Sequence, residues 1–248
     1  MMINTNELKV AAHRGYSAHY PENTLLAFYE GIQAGAHMLE LDLRLSSDGQ
    51  IVIFHDELLK RTAQVDRPLS EFTVEQLKKL EVGSFLDVRF EGLKIPTFAE
   101  FCLFITPYEH ILLNIEIKPA SSSIEVADKA IEMLKNYDLM ERCVFTSFDA
   151  NVLHHVIDHY QVKTQGFTTE QLKNCDDSIY EKLYAVALRM DEINTENVQK
   201  YRSKGLEVWA YCADTEEQVQ LAIDHQISLI TCNELTHVLP VNKIAKVR

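Results

Sequence analysis

The stretch MLELDLRL, residues 38–45, alternates apolar and polar side chains without a break. Successive side chains of a β-strand point to opposite faces, so Glu40, Asp42 and Arg44 share one face and the leucines share the other. Two carboxylates on a buried face repel each other and resist transfer from water, so they persist where a cation lies between them. A hard divalent metal is the simplest such cation. The alternative interpretation is an edge strand with a wet polar face.

A second alternating stretch supplies a third acid. ILLNIEIKP, residues 111–119, places Asn114, Glu116 and Lys118 on one face and isoleucines on the other. Glu116 can complete a three-carboxylate metal site with the two acids of the first strand, and Lys118 can reach a phosphate. An all-oxygen ligand set fits Mg²⁺ or Ca²⁺ better than Zn²⁺, which favours His or Cys.

Two histidines each end a short apolar run and precede a turn, and they lie close in sequence to the acidic strand ends. With the metal held by carboxylates, His13 and His55 remain free to transfer protons near neutral pH, and we predict them as the catalytic pair. Arg14 is predicted to bind phosphate together with Lys118. Asp56 could orient His55, although a role as a turn residue fits equally well. For any one histidine, a purely structural role is the alternative.

Strand-like and helix-like segments alternate from residue 8 to residue 231. This rhythm predicts a parallel sheet covered by helices, and closure into a (β/α)8 TIM barrel would bring the strand ends together. We expect one domain over residues 1–248, a size common for such a barrel. Residues 56–95 break this alternation. We predict that they form an insertion over the active-site face, and the alternative is an insertion without a functional role. A helix is predicted at residues 169–174.

Several short motifs follow one another in a fixed order along the chain. They are HRG at 13–15, PENT at 21–24, Glu40-x-Asp42, His55-Asp56, NIEIK at 114–118 and SFD at 147–149. In these motifs the sequence resembles the glycerophosphodiester phosphodiesterases of bacterial cytoplasmic type, over nearly the whole chain. The resemblance implies metal-dependent hydrolysis of glycerophosphodiesters to glycerol 3-phosphate and an alcohol. It also implies that Trp209 lines the substrate pocket, although a Trp there is more often a core residue.

Two departures from the family and two alternative functions remain. Ala210-Tyr211-Cys212 follows Trp209 where the family commonly has Thr, and Cys232 stands where Asp is frequent, so the alcohol preference is open. The alternatives are a phosphodiesterase of the sphingomyelinase D or phospholipase D type, which forms a cyclic phosphate, and a non-catalytic barrel that binds glycerophosphodiesters. The intact Glu116-x-Lys118 pair argues against the first, and the presence of both histidines argues against the second.

Composition bounds the partners and the compartment. The net charge of −13 argues against nucleic acid binding, because no basic cluster is present to displace phosphate counterions. No apolar run exceeds about six residues, whereas a membrane helix needs roughly twenty. Residues 1–7 carry neither a basic region nor an apolar stretch, and the five scattered cysteines indicate reduced thiols. We expect a cytoplasmic protein with a small-molecule substrate, either a monomer or a homodimer.

Overall fold

The computed structural model describes residues 8–239. Residues 1–7, on which the expectation about the N-terminus rests, lie outside that range. The strands are β1 Lys9–Ala12, β2 Met38–Leu45, β3 Ile51–Ile53, β4 Leu112–Ile117, β5 Cys143–Thr146, β6 Thr164–Phe167, β7 Ala185–Arg189, β8 Glu207–Tyr211 and β9 Leu229–Cys232. The helices are α1 Leu25–Ala34, α2 Lys60–Ala63, α3 Val74–Leu77, α4 Phe98–Ile105, α5 Ser123–Asn136, α6 Ala150–Tyr160, α7 Thr195–Arg202 and α8 Glu216–Asp224.

Eight parallel strands close into a barrel. They lie side by side in the order β1, β9, β8, β7, β6, β5, β4 and β2, and pairing of β1 with β2 closes the ring. Helices surround the barrel. The predicted (β/α)8 TIM barrel is therefore confirmed. Within residues 8–239, no helix is both long and apolar enough to cross a bilayer.

The alternation of β2 and β4 divides their side chains between two cores. Leu39, Leu41 and Leu43 point outward into the layer between barrel and helices. Met38 points into the barrel interior, where it packs with Trp209 and other apolar residues. Since the period of a strand is two, Glu40 and Asp42 also point inward. The polar face predicted for this strand is thus the inside of the barrel.

β3 is not a barrel strand. It pairs antiparallel with β2, with Leu43 opposite Ile53, after a tight turn in which Gly49 adopts φ 72°. The backbone N–H of Phe54 then donates to the carbonyl of Asp42 over 2.9 Å. This hairpin brings His55, the next residue, to the carboxyl end of β2.

Residues 56–95 contain only short helices: α2, α3 and two 3-10 turns, Leu69–Glu71 and Val88–Phe90. They enclose a small core of their own against β3, made of Val52, Phe54, Leu59, Ala63, Leu69, Leu77, Val82 and Ile95. Regular structure resumes at α4, whose start is fixed by a capping box between Thr97 and Glu100.

The helix predicted at residues 169–174 is wrong. The chain there forms turns, and the 3-10 helix Asp177–Glu181 provides the connection from β6 to β7. Backbone pairing of Lys173 with Phe148 and Ala150 holds this segment extended against the start of α6. Asn174 then adopts φ 54°, which ends any helix.

Candidate active site

The three carboxylates predicted as a metal site lie at the carboxyl ends of β2 and β4. Asp42 pairs with Glu116 across the two strands, and Glu40 precedes Asp42 by two residues on the same face of β2. One oxygen from each carboxylate lies within 4.8 Å of the other two. All three side chains are buried, Asp42 completely. Strand register alone therefore gathers residues 74 positions apart into one cluster.

The cluster fits a divalent cation. Oε1 of Glu40 and Oδ1 of Asp42 are buried, and neither accepts a hydrogen bond from the residues that the structure describes. Burial and the charges of Asp42 and Glu116 raise the pKa of Glu40 well above its usual value. Hard cations take carboxylate oxygens as ligands and offset this kind of repulsion.

Two cationic side chains flank the carboxylates. Nζ of Lys118 lies 2.5 Å from Oε1 of Glu116 and 3.4 Å from Oδ1 of Asp42. Nε of Arg14 lies 3.4 Å from Oδ2 of Asp42. Burial would raise the pKa of Asp42, but Lys118 and Arg14 outweigh it and hold that pKa below its usual value. Both cations also line the cavity in front of the cluster, where an anion can reach them.

The turn after β1 places Arg14 by its backbone. Arg14 adopts φ 55°, and its backbone N–H donates to Oε2 of Glu40 over 2.8 Å. Gly15 follows with φ 80°, and a Cβ there would lie 2.5 Å from the backbone carbon of Ala27. Only glycine fits this approach to α1. The HRG motif is therefore a structural device as well as a source of charge.

Both predicted histidines line the same cavity. Nε2 of His13 lies 3.9 Å from Oε2 of Glu40, and its Nδ1 lies 2.7 Å from Oδ1 of Asn233. Nδ1 of His55 lies 2.6 Å from Oδ1 of Asp56. Burial lowers the pKa of His55 below its usual value and so favours the neutral imidazole.

A residue of the 56–95 segment ties this arrangement together. Nε of Arg61 donates to Asp56 over 2.7 Å, and its two terminal nitrogens donate to Glu22 over 2.6 and 2.8 Å. Glu22 in turn accepts from Arg14 over 3.0 Å. Arg61 thus connects the partner of His55 to the partner of Arg14.

The cavity lies at the carboxyl ends of the strands and has a volume of about 200 Å³. Aromatic rings also line it: Phe148 stacks on Phe167 with ring centroids 3.6 Å apart, and Tyr211 meets Phe167 edge-on at 5.4 Å. The lining therefore combines charged and apolar side chains, as a site needs for an ester that joins an anion to an organic group.

Trp209 does not line this cavity, and the expectation for it is corrected. It lines a separate cavity at the amino ends of the strands, together with Lys9, Met38 and Leu112. Side chains two residues apart on β8 both point into the barrel, but only the later one is near the carboxyl end. Tyr211 therefore takes the place at the candidate site that was expected for Trp209.

Further residues that were not predicted support the predicted site residues, either directly or through a neighbour. Nδ2 of Asn23 donates to Oδ2 of Asp42 over 2.7 Å from a left-handed backbone position, φ 55°. Asn233 and Asp214 lie behind His13. Asn233 immediately follows β9, as His13 follows β1, so the rule that identified His13 could have identified it.

The fold and the site together define this protein as a (β/α)8 barrel with a candidate site for a cation and an anion at the carboxyl ends of its strands. The family model for the glycerophosphoryl diester phosphodiesterase family matches residues 13–235. The chain belongs to this family.

Individual relatives agree with the family match. A glycerophosphodiester phosphodiesterase of Caldanaerobacter subterraneus subsp. tengcongensis is 38% identical over 59% of this chain, and the matched part spans only 60% of that relative. One of Bacillus subtilis is 27% identical over 94% of this chain and 85% of its own.

Solved structures cover nearly the whole chain. A phosphodiesterase of Oleispira antarctica, in complex with the product sn-glycerol-3-phosphate, has a TM-score of 0.83 and 25% identity, covering 93% of this chain and 94% of its own. A glycerophosphodiester phosphodiesterase of Thermotoga maritima has a TM-score of 0.74 and 30% identity, covering 92% of this chain and 95% of its own.

Proposed function

We propose that this protein hydrolyses glycerophosphodiesters to sn-glycerol 3-phosphate and an alcohol. The observation that carries the proposal is a cluster of three carboxylates next to one cavity, which two of those carboxylates, two cations and two imidazoles line. Family membership and the product complex of the Oleispira antarctica protein support the same reaction.

Glu40, Asp42 and Glu116 would hold the divalent metal, with Mg²⁺ or Ca²⁺ favoured by an all-oxygen ligand set. A bound divalent cation would supply positive charge for the phosphate oxygens and lower the pKa of a coordinated hydroxyl. Arg14 and Lys118 bind the phosphate and offset the charge that builds up on its nonbridging oxygens.

His13 and His55 divide the proton transfers. One imidazole takes the proton of the attacking hydroxyl as the new P–O bond forms, and the other protonates the leaving alkoxide as its P–O bond breaks. The attacking hydroxyl is that of water, or that of the substrate glycerol, in which case water opens a cyclic phosphate in a second step. Asp56 orients His55 through its 2.6 Å hydrogen bond to Nδ1.

We also propose that residues 56–95 form a cap over the mouth of the single barrel domain. His55 immediately precedes this segment, and Arg61 of the segment donates two hydrogen bonds to Glu22 in the loop before α1. Leu58 remains 40% exposed beside the mouth, in a shallow depression that His55, Lys60 and Lys118 also line. Closure over a substrate would bury this side chain.

The cytoplasm is the compartment that we propose. All five cysteines are unpaired: Cys102, Cys143, Cys175, Cys212 and Cys232. Free thiols are typical of a reducing compartment.

The test is a panel of glycerophosphodiesters with Mg²⁺ or Ca²⁺ present and release of sn-glycerol 3-phosphate as the readout. We expect turnover of at least one member, such as glycerophosphocholine. A ³¹P spectrum recorded during the reaction reveals a cyclic phosphate if the glycerol hydroxyl attacks. Accumulation of a cyclic product from sphingomyelin instead would favour the sphingomyelinase D type. Calorimetric binding without turnover would overturn the proposal in favour of a binding barrel.

A further inference from the structure

A chain of hydrogen bonds leads from His13 away from the cavity. Nδ1 of His13 lies 2.7 Å from Oδ1 of Asn233, whose Nδ2 donates to Oδ2 of Asp214 over 2.6 Å. Oδ1 of Asp214 accepts the backbone N–H groups of Asn233 over 2.6 Å and of Glu234 over 3.1 Å. The loops after three adjacent strands, β8, β9 and β1, therefore meet behind the imidazole.

The chemistry of each group fixes the direction of these hydrogen bonds. A carboxylate only accepts, so Asn233 must turn its amide NH₂ toward Asp214 and its carbonyl oxygen toward His13. Ser17 donates its hydroxyl to the same carbonyl oxygen over 2.9 Å. Since an amide oxygen at 2.7 Å requires an N–H opposite it, the proton of neutral His13 lies on Nδ1. Nε2, on the side of Glu40, is then the nitrogen without a proton.

Cys212 is the one competing partner among the described residues at this nitrogen. Its Sγ lies 3.5 Å from Nδ1 of His13. A thiol is a weak donor and a weak acceptor, and the amide oxygen of Asn233 is both nearer and stronger. The contact with Cys212 therefore does not reverse the tautomer.

We propose that Asn233 and Asp214 are positioning residues that hold His13 as its Nδ1–H tautomer. Nε2 of His13 thereby faces the site. It takes the proton of the attacking hydroxyl if His13 is the base, or protonates the leaving alkoxide from the imidazolium form if His13 is the acid. This inference rests on the proposed hydrolysis for its catalytic consequence, but the tautomer itself does not depend on activity. It goes beyond the predicted site, because neither Asn233 nor Asp214 contacts Glu40, Asp42 or Glu116.

The direct test is the tautomer of His13, read from long-range ¹H–¹⁵N spectra of the full chain at a pH where His13 is neutral. The signals are assigned by their loss in His13→Ala. We expect a protonated Nδ1 and an unprotonated Nε2 in the wild type, and a shift toward the Nε2–H form in Asn233→Leu. An Nε2–H tautomer in the wild type would overturn the proposal, as would an unchanged tautomer in the variant.

The kinetic test uses a swap that keeps an oxygen acceptor facing Nδ1 of His13 and reverses only the hydrogen bond between residues 214 and 233. Asn233→Leu alone should lower kcat by about 10- to 100-fold with KM little changed. Asp214→Asn alone should also lower kcat, because the new amide NH₂ faces the NH₂ of Asn233 and turns it around. In the double variant with Asp214→Asn and Asn233→Asp, the introduced carboxylate accepts from His13 and the introduced amide donates to it. We expect kcat of the double variant to recover to within a few-fold of wild type.

Glu234→Ala is the matched control. It breaks the hydrogen bonds of the same loop to Tyr16 and Thr236 without touching His13, so its kcat should stay close to wild type. A wild-type kcat in Asn233→Leu would contradict the proposal, and so would a double variant slower than both single variants. If the wild type itself releases no glycerol 3-phosphate, the proposed hydrolysis fails, whereas the spectra still decide the tautomer.

Discussion

At the scale of single residues, the candidate site is built by backbone conformation as much as by charge. Arg14 and Asn23 both adopt left-handed φ values near 55°, and each then donates a hydrogen bond to a carboxylate, the first to Glu40 and the second to Asp42. Such positions are uncommon for residues with a Cβ and are retained where the surroundings determine them. The carboxylates are therefore oriented before any ligand arrives.

The two histidines give the first residue-scale expectation. Replacing His13 or His55 with Ala should lower turnover of a glycerophosphodiester by about two to four orders of magnitude, the usual worth of a general acid or base. His110→Ala, an exposed histidine outside the site, serves as the control and should keep wild-type turnover. Hydrolysis near the wild-type rate in either site variant, with folding checked by circular dichroism, would refute the assignment.

Glu234 gives a pH dependence of stability. Although partial burial raises the pKa of Glu234, hydrogen bonds from Thr236 and Tyr16 outweigh it and lower that pKa to about 2. The carboxylate thus stabilises the fold fully above its unfolded pKa near 4.5, and this contribution is lost as the pH falls toward 2. In urea unfolding we expect Glu234→Gln to cost about 1 kcal/mol at pH 7 and progressively less below pH 4. A cost independent of pH would show that the charge is not responsible.

At the scale of elements, strand alternation predicts the carboxylate cluster, because the register of β2 and β4 determines which side chains are neighbours. A period of two sends Glu40, Asp42 and Glu116 inward, and parallel pairing of β2 with β4 then brings them together. What alternation does not reveal is height along the barrel, so Trp209 was expected at the wrong end. Nor does it distinguish a barrel strand from the antiparallel β3, since both are short apolar runs.

Substitutions at Gly15 and Gly35 distinguish the cost of backbone strain from the cost of a steric clash. Both glycines have positive φ, but a Cβ on Gly15 would meet the backbone of Ala27, whereas a Cβ on Gly35, at the end of α1, meets nothing within 4 Å. Gly35→Ala should therefore cost about 1 kcal/mol through strain alone. Gly15→Ala should cost clearly more and also displace His13 and Arg14. Chemical unfolding of both variants measures the difference, and equal costs would contradict the clash.

At the scale of the whole molecule, the 56–95 segment and the barrel have separate cores. The segment packs on β3, and its own apolar cluster includes the fully buried Leu59 and Leu77. The break in the strand–helix rhythm distinguishes this segment from the rest of the sequence. Its internal packing could not be predicted, because short helices without a clear period leave little trace in a sequence.

Separate cores should unfold separately. Leu59→Ala, which leaves a cavity in the small core, should cost about 2–5 kcal/mol locally and speed amide exchange within residues 56–95. Leu41→Ala, at a fully buried position between barrel and helices, is the matched control and should speed exchange across the barrel. Exchange mass spectrometry distinguishes the patterns. Uniform acceleration in both variants would mean that segment and barrel form one cooperative unit.

The dependence of turnover on a divalent cation tests the central claim most directly. The substrate is a glycerophosphodiester that the protein hydrolyses in the panel described above. The rate of sn-glycerol 3-phosphate release is measured before chelation, in excess EDTA, and after Mg²⁺ or Ca²⁺ is added back. We expect the chelator to abolish release and the added cation to restore it. Glu40, Asp42 and Glu116 each place an oxygen within 4.8 Å of the other two, and neither Oε1 of Glu40 nor Oδ1 of Asp42 accepts a hydrogen bond from the described residues. Undiminished release in excess EDTA would contradict the claim that these carboxylates hold a catalytic metal.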